Sequence, residues 1–398
     1  MHNVTIIGAG PAGLTAARVL TRAGIRDVRV LERNPHPGGL PRFCAHPGWG
    51  VWDMRRFYTG PRYAAELTRR AAGADILINT TVTALEPNGH VRISTPGGVE
   101  VLQSHVVLLA TGIREQPRGA RLVSGTRPWG VTTTGAFQEM AQAGQTPFRR
   151  PVVIGSELVA FSALLTARHA GIRPVAMLEP GPRILARRPG GLIAQAVFGV
   201  PVRTRTRLLE IRGMERVEAV LVERDGAREE LPCDGVIFSG RFIPEAWLAR
   251  SGGLEIDPAT AGPVIDNFFR CSDPAYFATG NLLRPVEHAG FAALEGARAA
   301  EQILRALRGE LPPPQGAVRV IPGGAMRYVY PQRVIAREDE LVRLYGRARE
   351  AHSGRLRAMA DGAVVFERRI NVLPERRIGI ALPGEALAGR GSLSVVLD

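Results

Sequence analysis

Short apolar runs alternate with longer amphipathic stretches through the first three quarters of the chain. The runs VTII at 4–7, HVVLLA at 105–110 and PVVI at 151–154 are too short for helices and read as buried parallel strands. Two of them lead into helical patterns, LTAARVLTRAG ending at Gly24 and FSALLTARHAG ending at Gly171. Each helix is followed by another apolar run, VRVLE and then RPVAMLE, so one strand–helix–strand unit occurs twice. Beyond the proline run ELPPPQ at 310–315, the stretches AVRVI, MRYVY, AVVFERRI and RIGIALP alternate apolar and polar residues, with one helical turn expected near EDELVRLY. The prediction is an α/β protein in which one strand–helix–strand unit occurs twice, followed by a small β-rich C-terminal domain over residues 310–398.

The turn between the first strand and its helix is Gly8-Ala9-Gly10-Pro11-Ala12-Gly13. Glycines at this spacing allow a tight turn, close backbone approach to a pyrophosphate, and close helix packing, while the helix N-terminus supplies amide donors. Glu32 ends the second strand, 24 residues after Gly8, where a carboxylate can accept both hydroxyls of an adenosine ribose. Strand, motif, helix, strand and acid together predict a dinucleotide site. The second unit repeats the spacing, from Gly155-Ser156-Glu157 to Glu179, with one defect. Glu157 replaces the second glycine, where bulk and like charge oppose a pyrophosphate. Two readings stand: the unit has kept its fold and lost or weakened nicotinamide binding, or Glu157 turns outward and NADH binds with Glu179 on its ribose. Arg183, Arg187 and Arg188 keep NADPH open as the alternative.

After Glu32 the chain continues Arg33-Asn34-Pro35-His36-Pro37-Gly38-Gly39-Leu40, and it later carries HVVLLATG at 105–112 and YFATGN at 276–281. On these residues it resembles the two-dinucleotide-binding-domain flavoproteins of the pyridine nucleotide-disulfide oxidoreductase superfamily. The resemblance implies an α/β fold with two Rossmann-like dinucleotide-binding domains, the second inserted in the first: residues 1–113 with 232–309 for FAD and residues 114–231 as the NAD(P)-binding-like domain, followed by the small β-rich C-terminal domain at residues 310–398. The resemblance implies an FAD site built from Gly8, Gly10, Pro11, Ala12, Gly13, Glu32, Arg33, Gly39, Leu40, Val82, Thr111, Gly112, Gly280, Asn281, His288 and Ala289. Asn281 stands where that superfamily has Asp, keeping a hydrogen-bonding group for the ribityl chain without its charge. A helix beginning near Glu287 to Gly290 would point at the flavin's pyrimidine edge and stabilise the negative charge that reduction places there. The stretches GGLPRFCAHPGWGV, LLATGIREQPRGARLVSGTRPWGVTTTGAFQEM and GNLLRPVEHAGFAALEGARAA resemble FAD-binding alpha subunits of heteromeric dehydrogenases, namely those of hydrogen cyanide synthase, opine oxidase and proline or hydroxyproline dehydrogenase, and the related flavin subunit of anaerobic glycerol-3-phosphate dehydrogenase. Many of those end in a cysteine-rich iron–sulfur module, whereas here no cysteine follows Cys271.

Composition narrows the chemistry. All 51 basic residues are Arg, so pyridoxal Schiff bases and lysine nucleophiles are excluded. The net charge of +14 is spread in doublets, without a zinc-finger, homeodomain or RNP pattern, so no nucleic-acid partner is predicted. Cys44, Cys233 and Cys271 lie far apart and form no metal or disulfide framework, which with the absence of an export signal or a long apolar span predicts a cytoplasmic protein without a membrane span. Cys44 and His288 are the candidate catalytic groups; Cys44 sits near where disulfide reductases place redox cysteines, but position 49 is Trp rather than a second Cys. His46 is a further acid–base candidate, while Trp49 and Trp52 read as core. Three functional readings follow: a free-standing NAD(P)H:acceptor flavoenzyme acting on a small molecule, an electron-relay subunit partnered by a second dehydrogenase subunit or a small iron–sulfur protein, or a flavin-binding structural or regulatory protein. An oligomer fits any of the three.

Overall fold

The computed structural model describes residues 3–186 and 190–398. Seven α-helices appear among them: α1 (Pro11–Arg22), α2 (Gly60–Arg70), α3 (Thr134–Gln142), α4 (Leu158–His169), α5 (Gly190–Phe198), α6 (Trp247–Ser251) and α7 (Ala289–Leu307).

Two five-stranded sheets carry the repeated unit, and all their pairings are parallel. The first runs Tyr276–Ala278, Val106–Leu109, Asn3–Ile7, Asp27–Leu31, Asp75–Leu77. The second runs Val131–Thr133, Gly235–Phe238, Pro151–Ile154, Ala176–Leu178, Val202–Arg203. In each, the third strand feeds a glycine turn and a helix, then returns beside itself in a strand that ends at the acid, Glu32 or Glu179. Each sheet is also supplemented by an antiparallel meander, 81–103 in one and 206–232 in the other. Strands Val106–Leu109 and Gly235–Phe238 are buried at every position, as a sheet covered on both faces requires.

The chain passes from the first unit to the second and back through a two-stranded ribbon, in which Ile113–Glu115 pairs antiparallel with Phe242–Pro244. Helices α1 and α7 cross at very short range. A Cβ on Gly296 would lie 2.2 Å from the Ala12 carbonyl, so only glycine admits this approach. Gly280 likewise approaches Ala12, where a Cβ would lie 2.9 Å from that of Ala12, so the start of α1 and the segment before α7 meet at the C-terminal ends of the first sheet's strands.

The C-terminal region forms a five-stranded and a three-stranded sheet around its own core of Val320, Leu344, Leu356, Leu393 and Val395. The helical turn expected at EDELVRLY is instead a short turn followed by the strand Leu341–Ala348. Its burial alternates at Val342 and Leu344, a period of two that the glutamates before it masked. Tyr328 and Tyr330 of this region enter the core beneath the first sheet, beside Ile7, Leu282 and Leu283. Among the described residues no helix is long and apolar enough to cross a membrane.

Candidate functional site

The loop after Asn3–Ile7 is shaped around its glycines. Gly8 has φ +106°, and a Cβ there would lie 2.5 Å from the Ala110 carbonyl; at Gly13 it would lie 2.0 Å from the Gly8 carbonyl. Gly10 differs. A Cβ on it would meet nothing within 4 Å, so the space before the N-terminus of α1, which Pro11 opens, is free for a phosphate. Glu32 is buried at the end of the neighbouring strand and accepts hydrogen bonds from the amides of Ala9 (3.1 Å) and Asn34 (2.9 Å). The Gly38 amide donates to the Ala9 carbonyl at 2.7 Å, and a Cβ on Gly39 would lie 3.0 Å from the Gly10 Cα, so the Gly-Gly turn folds back onto the phosphate loop. Arg33 and Leu40 are exposed at its rim. Val82 packs in the core with Ile7 and Leu31.

Gly280 closes the opposite side, where a Cβ would lie 2.9 Å from that of Ala12. Asn281 is committed to its own loop: its Oδ1 accepts from the Glu287 amide at 2.8 Å and its Nδ2 donates to the Glu287 carbonyl at 2.9 Å. An aspartate could make only the first of these bonds, which gives the Asn a structural reason. Thr111 donates to the Glu245 carbonyl at 2.8 Å and Gly112 accepts from the Glu245 amide at 2.9 Å, so this pair fastens the two interunit connections. Gly8, Gly39, Glu32 and Gly280 therefore pack around the loop that holds Gly10, whereas Val82, Thr111 and Asn281 direct their side chains into the protein's own framework, and Ala289 packs against the core of the first unit.

His288 caps α7. Its Nδ1 accepts from the Gly290 amide at 3.1 Å, and the ring also bonds the Gly48 backbone. Burial holds its pKa below the ordinary value, so at neutral pH the ring is a neutral cap rather than a free acid. The unfolded chain takes up this proton first as pH falls, so the cap's contribution is complete above about pH 6.5 and is lost on acidification below it. His288→Asn, which can cap without titrating, is expected to lose less melting temperature than the native chain between pH 7 and pH 5; equal acid sensitivity would overturn the assignment.

Cys44 is buried, and its thiol lies 3.5 Å from Gln138 Oε1. Burial pushes its pKa up to about 11, with hydrogen bonding to Ser162 and Gln138 opposing the shift, so the thiol is held protonated and donates to Gln138 rather than standing as the thiolate that redox or nucleophilic chemistry needs. Gln138 in turn donates to Ser162 Oγ at 2.7 Å, and Ser162 bonds His46 Nε2 at 2.6 Å. Cys44 and His46 thus tie the segment after the Gly-Gly turn to α3 and α4 of the second unit. Trp49, between His46, Tyr63 and His288, is partly buried as expected, but Trp52 is 55% exposed and stacks on Phe291, contrary to its core assignment.

The second glycine loop is filled from within. The Glu157 carboxylate does not turn outward: Oε2 accepts from the Ser156 amide at 3.1 Å and Oε1 from the Ser239 hydroxyl. A Cβ on Gly155 would lie 2.8 Å from its Oε2, and one on Gly240 2.9 Å from its Cδ. The carboxylate therefore occupies the region that is open at Gly10. Burial raises its pKa, with Ser239 opposing and Glu179 reinforcing the shift. Ala160 replaces the third glycine. Glu179 is also occupied, by the Ser156 hydroxyl and by the Gly181 amide at 2.8 Å. Arg183, a candidate for a 2′-phosphate, is engaged by both oxygens of Glu375 at 3.2 Å; Arg187 and Arg188 lie outside the described residues. Two further groups at this loop carried no signal in the sequence. Glu115, pushed up to about 7 by burial and by Glu157 against the Gly135 amide, lies near Arg121. Arg121 donates to the Ser239 and Gly240 carbonyls at 2.9 and 2.7 Å, bracing the strand end that holds Glu157.

Known proteins share this two-unit fold. Residues 2–301 match the pyridine nucleotide-disulphide oxidoreductase family. The chain belongs to that family. That is a family of oxidoreductases whose members bind FAD, and the loop at Gly10 with Glu32 beside it is the candidate place for that cofactor. The chain is 29% identical over 315 residues to one subunit of the opine oxidase of Rhizobium meliloti, a match covering 70% of this chain and 58% of that protein. Among solved structures it is similar in fold to T. acidophilum thioredoxin reductase (TM-score 0.65, 21% identity, covering 77% of this chain and 98% of the other). A NAD-dependent persulfide reductase from A. fulgidus has a TM-score of 0.58 at 20% identity and covers 97% of this chain and 75% of its own.

Proposed function

We propose that this member of the family is the FAD-carrying subunit of a heteromeric dehydrogenase for a small amino-acid-like or amine substrate, and that its flavin takes electrons from that side rather than from NAD(P)H. The observation that carries the reading is the inward Glu157 side chain, whose bulk fills the position where a second pyrophosphate would lie. The likeness to a protein named as an oxidase subunit, of which this chain spans 58%, supports a partnered role. In this reading residues 1–113 and 232–309 hold the flavin, 114–231 serve as a scaffold, and 310–398 brace the flavin unit. Bound FAD would supply hydride acceptance. The chain's own part is to bind the pyrophosphate at Gly8–Gly13, hold the adenosine ribose at Glu32, and present the first turn of α7 to the pyrimidine edge.

The test is anaerobic. Millimolar NADH or NADPH added to the FAD-loaded chain is expected to leave the visible flavin absorbance unchanged over minutes; rapid bleaching would instead identify a free-standing NAD(P)H:acceptor enzyme. Glu157→Gly should restore nicotinamide binding by about tenfold or more, roughly 1.4 kcal/mol. An unchanged affinity in that variant removes the argument from Glu157.

A further inference from the structure

The segment between Gly280 and α7 is held from outside its own unit. Arg347, on the strand Leu341–Ala348, donates to the Val286 carbonyl and to Glu287 Oε1 at 3.0 Å, with both side chains of the ion pair nearly buried. Tyr328 donates to the Pro285 carbonyl at 3.2 Å. Arg284 is fully buried, 3.0 Å from Glu295, and its guanidinium lies 4.8 Å over the Tyr330 ring. The C-terminal region therefore grips the loop at three consecutive residues, Pro285, Val286 and Glu287, immediately before the cap of α7.

Charge gives this grip a direction. Three carboxylates, Asp53, Glu287 and Glu295, and three guanidinium groups, Arg284, Arg347 and Arg377, act on this end of α7. Glu287 directly precedes the capping residue, where a carboxylate is drawn to the partial positive charge of a helix N-terminus and would compete for it. We propose that Arg347 is a positioning residue for the flavin: by pairing Glu287 it withdraws that carboxylate from the N-terminal end of α7 and leaves the partial positive charge of that helix end for the pyrimidine edge. The C-terminal region then tunes how readily the flavin accepts negative charge. The inference rests on FAD being the bound cofactor.

Sulfite, which adds to oxidised flavin and places negative charge on the ring, is the probe. In the full-length FAD-loaded protein, Arg347→Gln is expected to weaken sulfite binding about tenfold and shift the flavin midpoint potential negative. Glu287→Gln should do the opposite, and Arg347→Gln/Glu287→Gln should return to within about twofold of the native chain. Shifts of the same sign in both single variants, or no shift while FAD remains bound, would overturn the proposal. If Arg347→Gln does not fold, Glu287→Gln decides alone: tighter sulfite binding supports the pairing, and unchanged binding sinks it. A native chain that binds no FAD overturns the flavin assignment, and this inference with it.

Discussion

Replacing Glu295 by Ala is expected to cost about 3–5 kcal/mol of folding stability, the largest effect of any single substitution outside the glycine loops. Arg284 is 0% exposed. Burial would lower its pKa, but the carboxylate of Glu295 outweighs this and holds the guanidinium charged. Without that carboxylate the guanidinium keeps the Gly280 carbonyl, at 2.5 Å, the face of Tyr330 and the more distant charge of Glu287. Its Nε already lacks a partner. The Gly280 amide would lose its acceptor as well, since Glu295 Oε2 receives it at 3.1 Å. The loss would appear in denaturant unfolding as a lower midpoint, and in weaker FAD retention because Gly280 lines the cradle. Arg284→Met/Glu295→Leu should recover most of the stability, because an apolar pair of similar volume carries no stranded charge. If Glu295→Ala costs less than about 1 kcal/mol, the ion pair is not what anchors the loop.

Carrying the defect of the second unit into the first is the other large effect. Gly10→Glu is expected to give a folded chain that purifies without flavin. The new side chain meets no protein atom near its Cβ but enters the space reserved for the pyrophosphate. An affinity loss of at least about 100-fold, roughly 2.7 kcal/mol, would be read by titrating the apoprotein with FAD. Gly13→Ala gives the contrast. Its Cβ would lie 2.0 Å from the Gly8 carbonyl, so both the loop and its binding should be lost together. A Gly10→Glu protein that still binds FAD at native affinity would show that the phosphates lie elsewhere, and would weaken the matching argument about Glu157.

The layered fold was readable because its signals are local. Apolar runs of four or five residues, helices closed by Gly24 and Gly171, and acids 24 residues after each first glycine are all written within single units. The site was readable where main-chain geometry demands a residue type, as at Gly8 and Gly13. It was not readable where distant segments decide what a side chain does. Glu157 is turned inward by Ser239, 82 residues away, and Glu287 is claimed by Arg347, 60 residues away. Asn281 reads as a ligand contact until the loop at Glu287 comes within reach of both ends of its amide. Cys44 lies near a redox position in sequence, yet folding buries it against Gln138, and that burial favours the protonated thiol. In the C-terminal region, Leu341–Ala348 was obscured because charged residues before a strand mimic the start of a helix.

The self-filled loop of the second unit also bears on how the chain unfolds. A loop whose carboxylate already bonds Ser156 and Ser239 draws its order from inside the protein, while the open cradle at Gly10 gains stability only as its ligand binds. Cofactor-linked stability therefore belongs to one half of the repeat. Stripping the flavin would loosen the first unit and leave the second near its original melting point, turning one cooperative transition into two. On the proposed reading, the internal carboxylate stands in for a ligand in the second unit, which would be ordered before the cofactor arrives.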